Sequence, residues 1–446
     1  LFQRDFSNPL AVAFDQPVGT SDGGAVLLRV LDERVGLTAA LASALVERRD
    51  ASKVELSLVD LFRQRVFGIA CGYGDGDDAG RVRPDPVQKL LLNREPLSGS
   101  DLASQPTLSR FENAVSSREL YAMSVKLVEH AIARHQQRLG GRARRITIDI
   151  DSTKDPAYGQ QQGVLFNGHF GSFCYHPLMA FVQFKRESEQ YLLSGMLRPG
   201  NAHAKLGAIA MLKRLIAHLR AAFPKARLVV RGDGGFAAPE VFAFLEEQDV
   251  QYVIAMAGNQ AFERIAEEDL QAARAASTLR GQSERHYGHA QYRANSWKYA
   301  RRVVFKAEVV RYPGKGPRDN PRYLITNMCT HAKVLYRDVY TKRGDMENRR
   351  KELKLGVEMD RLSCTRFTAN QARLLLHAAA YVLYQELRLA ATGTSLGSAQ
   401  VSTLRERLFK LGGIVKRSTR RIVIHLPQHT PWADDWVRIA RTIGAT

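Results

Sequence analysis

Cysteine and tryptophan are scarce in this chain, four and three among 446 residues. Cys71, Cys174, Cys329 and Cys364 stand alone with no C-x-x-C pair, which argues against a disulfide framework or zinc ribbon and for a reducing, cytoplasmic setting. No apolar run approaches the ~20 residues of a membrane span, so no membrane association is expected. The opening Leu1-Phe2-Gln3-Arg4-Asp5 lacks the basic, apolar, small-residue order of a signal peptide. It also lacks an initiator methionine, as expected of a trimmed, processed or unusually started chain. There is no internal repeat and no low-complexity tract. Apolar residues at 45% and charged residues at 25% are the mix of a globular protein and exclude wholesale disorder.

Acid is also in short supply. Lys and Arg number 65 against 45 Asp and Glu, a net charge of +20. Residues 1–140 hold 17 basic and 18 acidic side chains, so the whole excess lies in residues 141–446. Cationic charge at that density suits a polyanionic partner, of which nucleic acid is the commonest.

Residues 1–140 read as a helical N-terminal domain, with three-to-four apolar spacing in Leu37–Arg48, Leu56–Cys71 and Arg118–Leu139. Gly72–Gly80 resembles a calcium loop, but twelve positions from Asp75 falls Pro86 where Glu is needed, so a solvated turn is expected. Pro106 and a capping Thr107 open a helix carrying Arg110, either half of a helix-turn-helix reader or a plain helix–helix corner. Residues 141–258 alternate as strands (144–153, 173–184, 191–197, 227–232, 251–257) and helices (203–223, 239–248). That order, β-β-β-α-β-α-β, implies an α/β fold with a mixed sheet flanked by helices. Residues 259–332 read as a β-rich insertion with strands at 301–311 and 322–326. Residues 333–400 return to helix, and residues 401–446 read as a basic tail with nine Lys/Arg against three acids.

Three carboxylate positions stand out. Asp149 and Asp151 share one face of the first strand, and a carboxylate on a central strand must be paired or metal-bound. Asp233, in Arg231-Gly-Asp-Gly-Gly, follows the fourth strand, where ligands of open α/β sheets bind. In Tyr340–Lys354, at about 100° per residue, Tyr340, Arg343, Glu347 and Lys354 fall on one narrow stripe, with Asp345 and Glu352 opposite.

That spacing, Tyr-x2-Arg-x3-Glu-x6-Lys, resembles the Y-R-E-K signature of bacterial insertion-sequence DDE transposases (transposase DDE domain group 1). The Asp151-Ser152-Thr153 run and Asp233 match the family's first and second aspartates, with Asp149 a competitor for the first place. The resemblance implies an RNase H-like catalytic domain, in parts 141–258 and 333–400, interrupted by the β-rich insertion. It implies DNA cleavage and strand transfer by a two-metal Mg2+ site (Mn2+ a substitute), Asp151 bridging the ions and Asp233 and Glu347 holding one each. Tyr340, Arg343 and Lys354 would grip phosphates, Trp297 would either stack on a flipped base or be a core tryptophan of a small β unit, and the N-terminal domain with Arg110 would bind DNA ends. The partners implied are double-stranded DNA of transposon ends and target, held by a dimer in the nucleoid. The competing readings are another RNase H-like nuclease or resolvase, and a domesticated, non-catalytic DNA-binding descendant.

Overall fold

The computed structural model describes residues 12–184 and 187–445. They fall into two compact units. The first comprises the described residues up to Thr38, Arg49–Phe111 and those from Glu386 onward; the second comprises Ala39–Arg48 and Glu112–Gln385.

In the first unit, helix Leu58–Ala70 starts at a reciprocal cap, Ser57 with Asp60, which satisfies two backbone donors that a helix start leaves unpaired. Helix Gln105–Ala114, whose residues up to Phe111 belong to this unit, begins ahead of Thr107, with the Thr107 and Leu108 N–H groups donating to the Ser104 carbonyl. The C-terminal residues fold into this unit. Gly413–Arg417 pairs with both Gly19–Thr20 and Ile422–His425. Helix Ala433–Ile443 buries Ile439, Ala440 and Ile443. Lys410 donates to the fully buried Asp22 at 2.7 Å. A Cβ on Gly24 would fall 1.8 Å from the Leu408 carbonyl oxygen, an approach only glycine permits.

In the second unit, α1 (Ser117–Leu139) opens on a Ser116–Glu119 capping box and closes on left-handed Gly140. There follow β1 (Arg145–Ser152), β2 (Leu178–Phe184), β3 (Tyr191–Met196), α2 (Ala208–Ala222), β4 (Arg227–Gly232), α3 (Pro239–Glu247) and β5 (Gln251–Met256). Then come α4 (Gln260–Arg280), β6 (Glu284–Tyr292), β7 (Arg301–Val310) and β8 (Arg322–Thr326). Among the described residues the main sheet runs β6-β7-β8-β5-β4-β1-β2-β3, with Arg318–Asp319 added on β7. β1, β4 and β5 are parallel; β2 is antiparallel to β1 and β3 to β2. This is the expected RNase H-like α/β arrangement, with the first strand inside the sheet.

Three features differ from the sequence reading. β1 is buried on both faces, so its alternation separates two covered layers rather than core from solvent. Residues 173–184 form two strands, Ser172–Tyr175 in a small separate sheet and then β2. The insertion contains the long helix α4, and its strands extend the main sheet beyond β5 instead of forming a unit of their own.

One interrupted helix completes the unit: Ala332–Val334, a wide π stretch Leu335–Tyr340, a tight 3-10 turn Thr341–Arg343, Gly344–Lys351, and a second π stretch Glu352–Gly356. Its first part lies on the sheet, with Leu335, Tyr336 and Val339 packed against Val229, Val253, Val304 and Leu324.

Candidate active site

Val229, Arg231 and Asp233 alternate along and just beyond β4. Val229 packs under the interrupted helix, and Arg231 projects to the same side. Arg231 is 2% exposed. Its guanidinium holds Asp149 through two hydrogen bonds of 2.6 and 2.7 Å and donates to the Val339 carbonyl at 2.6 Å. Gln190 donates to the same Asp149 carboxylate at 2.7 Å. Both Asp149 oxygens are therefore engaged. Burial pushes its carboxyl upward in pKa, and the Arg231 charge opposes that.

Asp151, two residues on, is 3% exposed near the C-terminal end of β1. Arg343 Nη2 lies 3.1 Å from one Asp151 oxygen and 3.5 Å from Asp233, so one nitrogen joins the two carboxylates. Arg350 donates to the other Asp151 oxygen at 3.0 Å. Burial raises the Asp151 carboxyl to about 6, with Asp233 adding to the rise and Arg343 and Arg350 opposing it. Burial works against the Arg343 charge, but the two carboxylates outweigh it and its pKa is raised. Asp233 is partly open to solvent and also accepts from the Gly235 N–H at 2.9 Å.

Glu347 is exposed, and among the described residues no group of three or more His, Cys, Asp or Glu side chains is gathered closely enough to hold a metal. The 3-10 turn explains its position. Three residues at about 120° instead of 100° rotate everything beyond them by about 60° relative to an ideal helix. That turns Glu347 to the flank of the stripe and brings Arg350 onto it. Tyr340, Arg343, Arg350 and Lys354 are all half-buried. Glu352, opposite the stripe, is buried and accepts from Tyr381 at 2.8 Å.

Lys354 Nζ donates to the Lys154 carbonyl. Beside it lies Asp155, 2% exposed, with no hydrogen-bond partner for either carboxylate oxygen among the described residues. Burial raises the Asp155 carboxyl; the Lys354 charge opposes this and Asp360 adds to it.

Trp297 is 4% exposed. Phe242 and Tyr292 meet its ring edge-on at 5.7 and 5.6 Å, and Arg301 sits over it at 5.2 Å. The indole is enclosed by its own fold and presents no free face for a base. Arg110 is exposed on helix Gln105–Ala114 in the first unit.

Sequence reasoning missed Arg231 and Arg350. A lone arginine at the end of the apolar run Leu228-Val229-Val230, two residues from Asp233, was the available signal for Arg231. Arg350 lies near −80° from Tyr340 on an ideal helix, just outside the narrow stripe of Tyr340, Arg343, Glu347 and Lys354.

Carboxylates at the C-terminal ends of adjacent parallel strands, under a basic helix, place the fold in the RNase H-like class. Within it, the chain belongs to the transposase DDE domain group 1 family, whose model matches residues 2–445, and so to the DNA transposases. No curated protein matches the chain. A solved structure similar to it is a piggyBac transposase synaptic complex with hairpin DNA, 13% identical, covering 87% of this chain and 79% of that one at a TM-score of 0.40. Among the described residues no helix is long and apolar enough to cross a membrane.

Proposed function

We propose that the chain is a cut-and-paste transposase of a bacterial insertion sequence, which binds terminal inverted repeats, cuts at the transposon ends and joins them to target DNA. The observation that supports this most is the convergence of Asp151 and Asp233 on one nitrogen of Arg343. Carboxylates already gathered around a cation suit hard divalent ions, which take oxygen ligands. Asp151, Asp233 and Glu347 would hold Mg2+, with Mn2+ a substitute; Asp149 would not, because its oxygens are committed to Arg231 and Gln190. When bound, two such ions stabilise charge on the attacking and leaving oxygens of a phosphodiester.

The chain's own groups do the rest. Arg343, Arg350 and Lys354 present three cations along one side of the helix, where they would grip non-bridging phosphate oxygens, and Tyr340 adds a hydroxyl and a ring. Water attacks phosphorus at the transposon end, the 3′ oxygen leaves as a hydroxyl, and the phosphate stays on the 5′ side. That 3′-OH then attacks the opposite strand, giving a hairpin, or a target strand. Exposed Arg110 is the candidate reader of the terminal repeat, and two ends acted on together imply a dimer on DNA.

The test is cleavage of labelled terminal-repeat DNA in Mg2+. Asp151→Ala, Asp233→Ala and Glu347→Ala should each lose at least about a hundredfold in rate. Normal cleavage by one of them removes that residue from the site. Inverted repeats flanked by a target duplication around the gene separate a transposase from a resolvase.

A further inference from the structure

The opposite end of the sheet carries a second cationic surface. A groove of 1180 Å³ lies at the N-terminal ends of β1, β4 and β5, lined by Arg142, Arg144, Arg145, Lys225 and Arg227 and by no acidic side chain. None of these five has a carboxylate partner among the described residues. Arg145 is half-buried, and its Nε is buried without a hydrogen-bond partner. Asp151 lies six residue steps along β1 from Arg145, about 20 Å at ~3.3 Å per step, so the groove is distinct from the carboxylate site.

Neither helix-end charge nor a small-anion site accounts for the cluster. The carboxyl-terminal ends of α1 and α2 border the groove and favour nearby cations. Each helix end is worth about half a negative charge, so together they offset about one of five cations. A small anion is a poor match too, since the volume exceeds the ~300–1,000 Å³ of small-molecule sites and all five charged side chains of the lining are cations. What remains is a repeating polyanion able to meet several cations at once.

We infer that this groove binds the sugar-phosphate backbone of a second segment of duplex DNA, apart from the strand held at Asp151 and Asp233. The inference rests on the transposase reading for the identity of the polyanion. The four exposed cations Arg142, Arg144, Lys225 and Arg227 set its strength, and contacts to phosphate carry no sequence preference.

The experiment uses the full chain and a mixed-sequence 30-base-pair duplex without terminal repeats, in EDTA, with anisotropy read across a KCl series. Replacement by R142Q/R144Q/K225Q/R227Q should weaken binding at least tenfold. It should also lower the slope of log affinity against log salt by about 0.9 per lost contact, or about 3 to 4 in all. A control with equal charge loss, K213Q/R264Q/K315Q/R318Q, should change the slope by less than half as much. Equal effects from the two sets, or parental binding by the groove variant, overturn the inference. So does a loss confined to single-stranded DNA or RNA with duplex binding intact. The thermal midpoint of the groove variant should match the parent, since all four side chains are exposed. Because the readout needs no metal, absence of Mg2+-dependent cleavage by the parent would refute the catalytic reading and leave this result standing.

Discussion

Asp151 is a carboxylate whose burial is only partly compensated by its two arginines. Its pKa in the fold, about 6, lies above its value in an unfolded chain, so the folded state binds its proton more tightly. Stability from that preference is complete below the unfolded value near 4 and is lost as pH rises through about 6. Metal-free protein should therefore lose up to ~3 kcal/mol of unfolding free energy between those limits, and Asp151→Asn should flatten the profile in denaturant titrations. Asp149, also pushed upward by burial, has both oxygens hydrogen-bonded to Arg231 and Gln190. Asp149→Ala strands the Arg231 guanidinium and should cost ~3–5 kcal/mol in the same assay. Trp297→Ala should cost a similar ~3–5 kcal/mol through lost packing, as expected of a core aromatic. The positions of Asp151 and Asp233 and the Tyr-Arg-Glu-Lys spacing were legible because they depend on local order, but the outward turn of Glu347 was not. Arg231 and Arg350 were not, because each acts on a residue distant in sequence, Arg231 on Asp149 and Arg350 on Asp151.

Elements followed the same division. The main-sheet strands and the helices of 141–258 were readable from periodicity, but the small separate sheet of Asp155–Pro156, Leu165–Asn167 and Ser172–Tyr175 was not. α4 was not, because its buried stripe is Phe262, Ala266, Leu270, Ala273 and Ser277, mostly small residues with a faint apolar signal, although Asn259 and Gly281 cap its ends. That the insertion strands extend the main sheet was also hidden, since strand pairing between β5 and β8 leaves no local mark. In the interrupted helix the departure from 3.6 residues per turn decides which side chains face the carboxylates. Arg350, which donates to Asp151, would then compete with the proposed metal for that carboxylate. Arg350→Gln should tighten Mn2+ binding about fivefold by calorimetry, on the order of 1 kcal/mol for one partly exposed ion pair, while weakening DNA binding.

At the scale of the whole chain, both compact units carry net positive charge, the second far more than the first. The first unit holds 22 basic and 18 acidic residues, the second 43 and 27. The stretch 401–446, read from sequence as a basic tail, offsets acid in its own unit: Lys410 meets Asp22, and Arg417 meets Glu95 at 2.9 Å. It also buries Leu404, Leu408, Phe409 and Val415. Truncation after residue 400 should therefore expose the first unit to rapid limited proteolysis, with cuts within 49–111, while 112–385 stays resistant. Arg343 has a consequence for the chain as a working machine. Arg343 stands as a counterion between Asp151 and Asp233. If these carboxylates hold metal as proposed, a phosphate that drew Arg343 away would free both for it, and by thermodynamic reciprocity bound metal would tighten the grip on phosphate by the same factor. Such an interlock would keep the proposed centre neutralised until its substrate is in place.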